Sequence, residues 1–79
     1  MKGTVVQIFL DKGFCFIRGE DGIRRFAHTS KIYPGLFDSL REGTEVEFMP
    51  VKTDRGNRAE DVKLPGSRHA DFEALFQKK

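Results

Sequence analysis

Lys12-Gly13-Phe14-Cys15-Phe16-Ile17 is the stretch that decides how the chain is read. Gly13 ends a turn, and the residues after it form a strand. Side chains along a strand point alternately to opposite faces. Phe14 and Phe16 therefore share one face, and Cys15 and Ile17 share the other. A second run, Arg25-Phe26-Ala27-His28, repeats the alternation, with Phe26 and His28 on one side and Arg25 and Ala27 on the other. If the two strands pair, Phe14, Phe16, Phe26 and His28 line a single surface. The rings are then either the core, or a displayed platform with Ile17 and Ala27 beneath it. An aromatic platform among basic residues suits unpaired nucleic-acid bases, because every base offers a π-face and every phosphate a charge.

Outward from this stretch the chain reads as strands and turns. Residues 2–10 are rich in β-branched side chains and predict a first strand, with Val5 in the core and poor alternation elsewhere. Asp11-Lys12-Gly13 is a hairpin turn in which Gly13 can take positive φ. The second strand covers residues 14–18, the cluster Gly19-Glu20-Asp21-Gly22 turns the chain, and the third strand covers residues 23–29. Residues 30–40 break the pattern. Ser30-Lys31-Ile32 suits one helical turn with Ile32 plugging the barrel end, Pro34-Gly35 turns, and Leu40 anchors the loop. The fourth strand, residues 44–51, alternates clearly: Glu45 and Glu47 point one way, Val46 and Phe48 the other. Pro50 cannot donate to a ladder and marks an edge, a bulge or the strand's end. A short fifth strand over residues 58–64 places Val62 in the core.

After Pro65-Gly66-Ser67 the pattern changes again. Phe72, Leu75 and Phe76 fall on one helical face, with acids early and Lys78 and Lys79 late, as a helix dipole prefers. Residues 66–79 are therefore expected to be a short amphipathic helical tail. That face would cover the barrel, dimerise, or engage a protein partner.

The bulk numbers bound the class. A chain of 79 residues holds one small domain. No apolar run approaches the ~20 residues of a membrane span, and the first residues lack the apolar segment of a signal peptide. A lone cysteine, Cys15, forms no internal disulfide, so a cytoplasmic location is expected. The formal net charge is only +2, but Lys12, Arg18, Arg24, Arg25 and Lys31 cluster in the first half, while Asp38, Glu42, Glu45 and Glu47 make a later segment acidic. Charge alone favours a solvated surface over a phosphate-binding one. His28 and His69 are far apart in sequence, no residues have metal-ligand spacing, and Cys15 reads as a small buried residue. The expectation is no catalysis, no metal and no cofactor.

Five strands with a long third-to-fourth connection fit a small OB-type barrel. Here the sequence resembles a known family. Lys12-Gly13-Phe14-Cys15-Phe16-Ile17 and Arg25-Phe26-Ala27-His28 resemble the two ribonucleoprotein motifs of the cold-shock domain family. Gly3, Val5, Ser30, Ile32, Phe37, Leu40, Glu42-Gly43, Val46, Phe48 and Gly56 fit the same pattern across residues 1–65. The resemblance implies a five-stranded antiparallel barrel that binds single-stranded RNA or DNA as an RNA chaperone or regulator of gene expression. It implies base stacking on Phe14, Phe16, Phe26, His28 and Phe37, and strand contacts from Lys12 and from Arg55 in the last hairpin. It makes the platform the better reading of the rings.

The departures have a direction. The family's Lys-Trp-Phe-Asn run is replaced by Val6-Gln7-Ile8-Phe9, and the aromatic after the second motif by Thr29. Ring platforms are lost, while Arg24 adds phosphate attraction. Weaker and more salt-dependent binding is expected. Arg25 falls at a normally buried position, so a local shift placing Ile23 inside instead is expected. The alternative is a divergent barrel that serves as a protein-interaction or dimerisation module through its tail.

Overall fold

The computed structural model describes residues 1–65. Five strands form: β1 (Lys2–Phe9), β2 (Phe14–Gly19), β3 (Arg24–His28), β4 (Glu45–Thr53) and β5 (Gly56–Lys63), with 3₁₀ turns at Thr29–Lys31 and Phe37–Ser39. They close into a barrel in the order β1-β2-β3-β5-β4, with β4 returning to β1. The helical tail expected over residues 66–79 lies outside the described residues.

The seams β1/β2, β2/β3, β4/β5 and β1/β4 are antiparallel, as expected. The β3/β5 seam is parallel, with Phe26 opposite Arg58. An odd number of strands cannot alternate direction around a closed ring, so one seam must join strands that run the same way. The long β3–β4 connection carries that burden.

Hairpin geometry sets the first register. The Phe9 carbonyl accepts hydrogen bonds from the Lys12 and Gly13 N–H groups at 3.1 and 2.9 Å, and Gly13 takes φ 77°. Phe9 thus sits opposite Phe14 and Ile8 opposite Cys15. Further along, Val5 faces Ile17 while Gln7 faces Phe16, which leaves Val6 as the extra residue of a bulge. The bulge explains the poor alternation of β1. Pro50 lies beyond the part of β4 that pairs with β1 and is opposite Ala59 of β5 alone, an edge position that tolerates its missing donor.

The core is built from inward positions of all the strands, with Val5, Cys15, Ile17, Ala27, Val46, Phe48, Ala59 and Val62 buried. Ile32 and Leu40 close it from the long connection, and Ile32 also bridges to Val62.

Arg25 departs from expectation. The β2/β3 register runs unbroken from Phe14↔His28 to Arg18↔Arg24, so no shift brings Ile23 inside. Ile23 is 41 % exposed, and Arg25 is the buried residue at 6 %. Its guanidinium reaches the barrel mouth and grips Asp21 with a two-pronged pair, Nη2 to Oδ2 at 2.7 Å and Nη1 to Oδ1 at 3.0 Å. The same group lies over the Phe48 ring, 5.5 Å from its centroid. Gly19 supplies the room, since a Cβ there would come within 2.6 Å of Arg25 Nη1. The Arg25 Nε is buried without a hydrogen-bond partner, so compensation for burying this charge falls to the terminal nitrogens, chiefly through the Asp21 pair, with longer contacts from Nη1 to the Ile23 carbonyl and the Met1 sulfur.

The hydrogen bond from Arg25, helped by the Ile23 N–H, holds the Asp21 carboxyl down at about 2. The unfolded chain binds that proton more readily, at about 3.9. Stability from the pair is therefore complete above about pH 4 and declines as pH falls toward 2. Asp21→Asn is expected to lower the melting temperature at neutral pH and to flatten its acid dependence across that window. Thermal melts followed by circular dichroism at stepped pH measure both effects.

Candidate nucleic-acid interface

The alternation of β2 and β3 builds the surface. Cys15, Ile17 and Ala27 have no exposure and point inward. Their neighbours Phe14, Phe16 and Phe26 point outward and are half-buried, largely against one another. The ring centroids of Phe14 and Phe26 are 5.2 Å apart, those of Phe14 and Phe16 5.9 Å, and those of Phe16 and Phe26 5.9 Å. The rings form a contiguous outer face and are not the core. The outward residues of β2 and β3 are Phe14, Phe16, Arg18, Arg24, Phe26 and His28, without a carboxylate among them.

His28 stands exposed at the end of this face, and its Nδ1 accepts a hydrogen bond from the Ser30 N–H at 3.1 Å. The neutral ring then carries its hydrogen on Nε2. Arg24 places its guanidinium carbon 4.3 Å from the Phe16 centroid. It also donates a hydrogen bond across β2 to Gln7 Oε1 on β1. An exposed cation–π contact of this kind contributes about 0.5–1 kcal/mol, less than the ~1–3 kcal/mol of a base stacked on an aromatic ring.

Two members of the surface were missed by sequence reasoning. Phe9 lies beside Phe14 at 4.9 Å and edge-on to Phe16 at 6.4 Å. Its signal was present in the turn: counting back from Gly13 places it opposite Phe14. Arg58 lies over Phe26 at 5.1 Å. It arrives through the parallel seam, for which the local sequence carries no signal.

Other expected residues stand elsewhere. Phe37 is 7 % exposed and belongs to the core cluster, so it offers no open ring for stacking; the 3₁₀ turn Phe37–Ser39 folds it inward over the barrel. Lys12 is exposed in the β1–β2 turn, two residues before Phe14. Arg55 is exposed at the tip of the β4–β5 hairpin. Neither sits over a ring in the way Arg24 and Arg58 do. Burial pushes the Cys15 thiol up to about 11, which makes it a core residue and a poor nucleophile. Among the described residues no group of three or more His, Cys, Asp or Glu is placed to hold a metal, and no helix is long and apolar enough to cross a membrane. The interaction face expected of Phe72, Leu75 and Phe76 lies outside the described residues.

A five-stranded closed barrel with rings and arginines on one outer face defines the class of small OB-type nucleic-acid-binding barrels. Residues 1–65 match the family described as 'Cold-shock' DNA-binding domain. Cold shock protein 1 of Lactiplantibacillus plantarum is 45% identical over 60 residues, 76% of this chain and 91% of that protein. Cold shock-like protein CspC of Bacillus cereus is 44% identical over 62 residues, 78% of this chain and 95% of that protein. Cold shock protein CapB of Pseudomonas syringae pv. tomato is 37% identical over 62 residues, 78% of this chain and 90% of that protein. The chain belongs to the cold-shock domain family.

Phe9 lies outside the core, so Phe9→Ala is expected to leave the fold intact and to weaken binding of a labelled single strand about tenfold, the lower part of the range for one stacked base. Ile17→Ala, by contrast, empties a fully buried position and is expected to cost about 2–5 kcal/mol of stability. Fluorescence anisotropy and thermal melts on the two variants separate surface from core.

Proposed function

We propose that this protein binds single-stranded RNA or DNA by stacking unpaired bases on Phe9, Phe14, Phe16 and Phe26. His28 extends the platform. Lys12, Arg24, Arg55 and Arg58 attract the phosphates that travel with those bases. The observation that carries this reading is the run of touching rings on the outside of β1, β2 and β3, beside arginines and with no carboxylate among the outward residues of β2 and β3. Nothing in barrel packing requires apolar rings there, whereas a base has the flat apolar face that would cover them.

The mechanism is mass action. A strand held on the rings is unavailable for pairing, so binding draws RNA hairpins toward the open form by the usual linkage. The same holding action serves an RNA chaperone or a regulator of gene expression, without a chemical step. Every strand engages the surface anew, and the interaction needs neither metal nor nucleotide cofactor.

The balance of forces is particular to this chain. Gln7 and Ile8 occupy positions where rings are usual in the family, and Thr29 follows the second motif without one. Phe9 restores one ring, and the arginines shift the remainder toward charge. Binding is expected to be strongly salt-dependent. If Lys12, Arg24, Arg55 and Arg58 each neutralise a phosphate, log affinity falls against log salt with a slope of about 2–3. The test is a titration of labelled single strands at several salt concentrations, with wild type and the Phe14→Ala/Phe26→Ala double variant. The expected result is the stated slope for wild type and lost binding with an intact fold for the variant. A flat salt response, or tight binding by the folded double variant, contradicts the proposal.

A further inference from the structure

Each of two rings on the outer face already carries a cation from its own chain. Arg58, half-buried on β5, lies over Phe26 at 5.1 Å. Arg24 is exposed and sits closer, 4.3 Å above Phe16, where an incoming base would stack. Gln7 holds it there through Oε1. Both partners are neutral, and neither ion pair formed among the described residues, Arg25–Asp21 or Lys63–Asp61, involves Arg24. The guanidinium is therefore not paired with a carboxylate while it occupies the seat.

We infer that Arg24 is a specificity-determining residue that reserves the Phe16 seat for ligands carrying phosphate. This inference rests on the single-strand reading above. A base reaching Phe16 must displace the guanidinium from the ring and from Gln7. A phosphodiester strand compensates that loss, because the released arginine turns to a charge-assisted bond with a phosphate of the same strand. A neutral aromatic compound supplies no such partner and meets an occupied ring. Stacking and phosphate capture are thereby coupled in one side chain. The covered seat also limits how much bare ring surface the unliganded protein shows to other apolar molecules.

The test compares two probes of one sequence, a thymidine hexamer with phosphodiester links and the same hexamer with uncharged methylphosphonate links. Wild type and Arg24→Gln are titrated with each. The exposed position of Arg24 keeps the substitution away from the core, and a thermal melt verifies the fold. Arg24→Gln is expected to bind the phosphodiester strand severalfold more weakly, with its salt slope shallower by about 0.7. It is expected to bind the uncharged strand about threefold more tightly, the factor released with an exposed cation–π contact. In the free wild-type protein the Arg24 Nε–H proton resonance is expected upfield, under the Phe16 ring current, and to move downfield when the phosphodiester strand binds. Equal weakening of both probes, unchanged affinity for both, or a resonance that stays upfield in the complex overturns the assignment of Arg24 while leaving single-strand binding in place. A wild-type protein that binds neither strand overturns both.

Discussion

The structure depends on the two-residue period of β2 locked against that of β3. Cys15, Ile17 and Ala27 fill the inside of the barrel, and the unbroken register between the strands leaves Phe14, Phe16 and Phe26 no place but the outside. A slip of one residue would exchange the two faces and force three rings into space now held by a thiol, a methyl and one aliphatic. The size of the inner residues makes that exchange prohibitive in so small a barrel. Burial of the small side chains and display of the large ones are one constraint seen from two sides.

Barrel closure adds the charge. Because five strands cannot alternate all the way round, β5 must run parallel to β3, and this seam sets Arg58 opposite Phe26. The bulge at Val6 completes the surface from the other side. It realigns β1 so that Gln7 and Phe9 both face the rings of β2. Residues from β1, β2, β3 and β5 thus converge on one patch, although the sequence motifs belong to β2 and β3 alone. At the far mouth Arg25 occupies an inward position and is held by Asp21, which lets the strand keep its register despite the charge.

Local alternation made β2, β3 and β4 legible and set Val46 and Phe48 on one face, which is the buried one; Val5, Ile32, Leu40 and Val62 take the buried places expected of them. The turn at Asp11-Lys12-Gly13 was also clear, because glycine supplies the positive φ that the hairpin needs. Phe9 escaped notice because a bulge interrupts the period of its strand, and a period-two reading has no means of counting an inserted residue. Arg58 depends on a contact between strands far apart in sequence. Arg25 was read as too costly to bury, since the reading priced the charge alone; the compensating carboxylate lies in the preceding turn, and the space lies at Gly19. Phe37 was expected to stack bases only through the family resemblance, because its loop has no periodic pattern to decide between packed and displayed; a 3₁₀ turn carries it into the core.

The central claim is that the outer rings themselves hold the bases. The most direct measurement is an aromatic carbon–proton correlation spectrum of the protein, with phenylalanine rings labelled, recorded during titration with an unstructured single strand. Stacking predicts large shifts at Phe9, Phe14, Phe16 and Phe26, with the buried rings of Phe37 and Phe48 little changed. Saturable binding that leaves those four outer rings unshifted would contradict it.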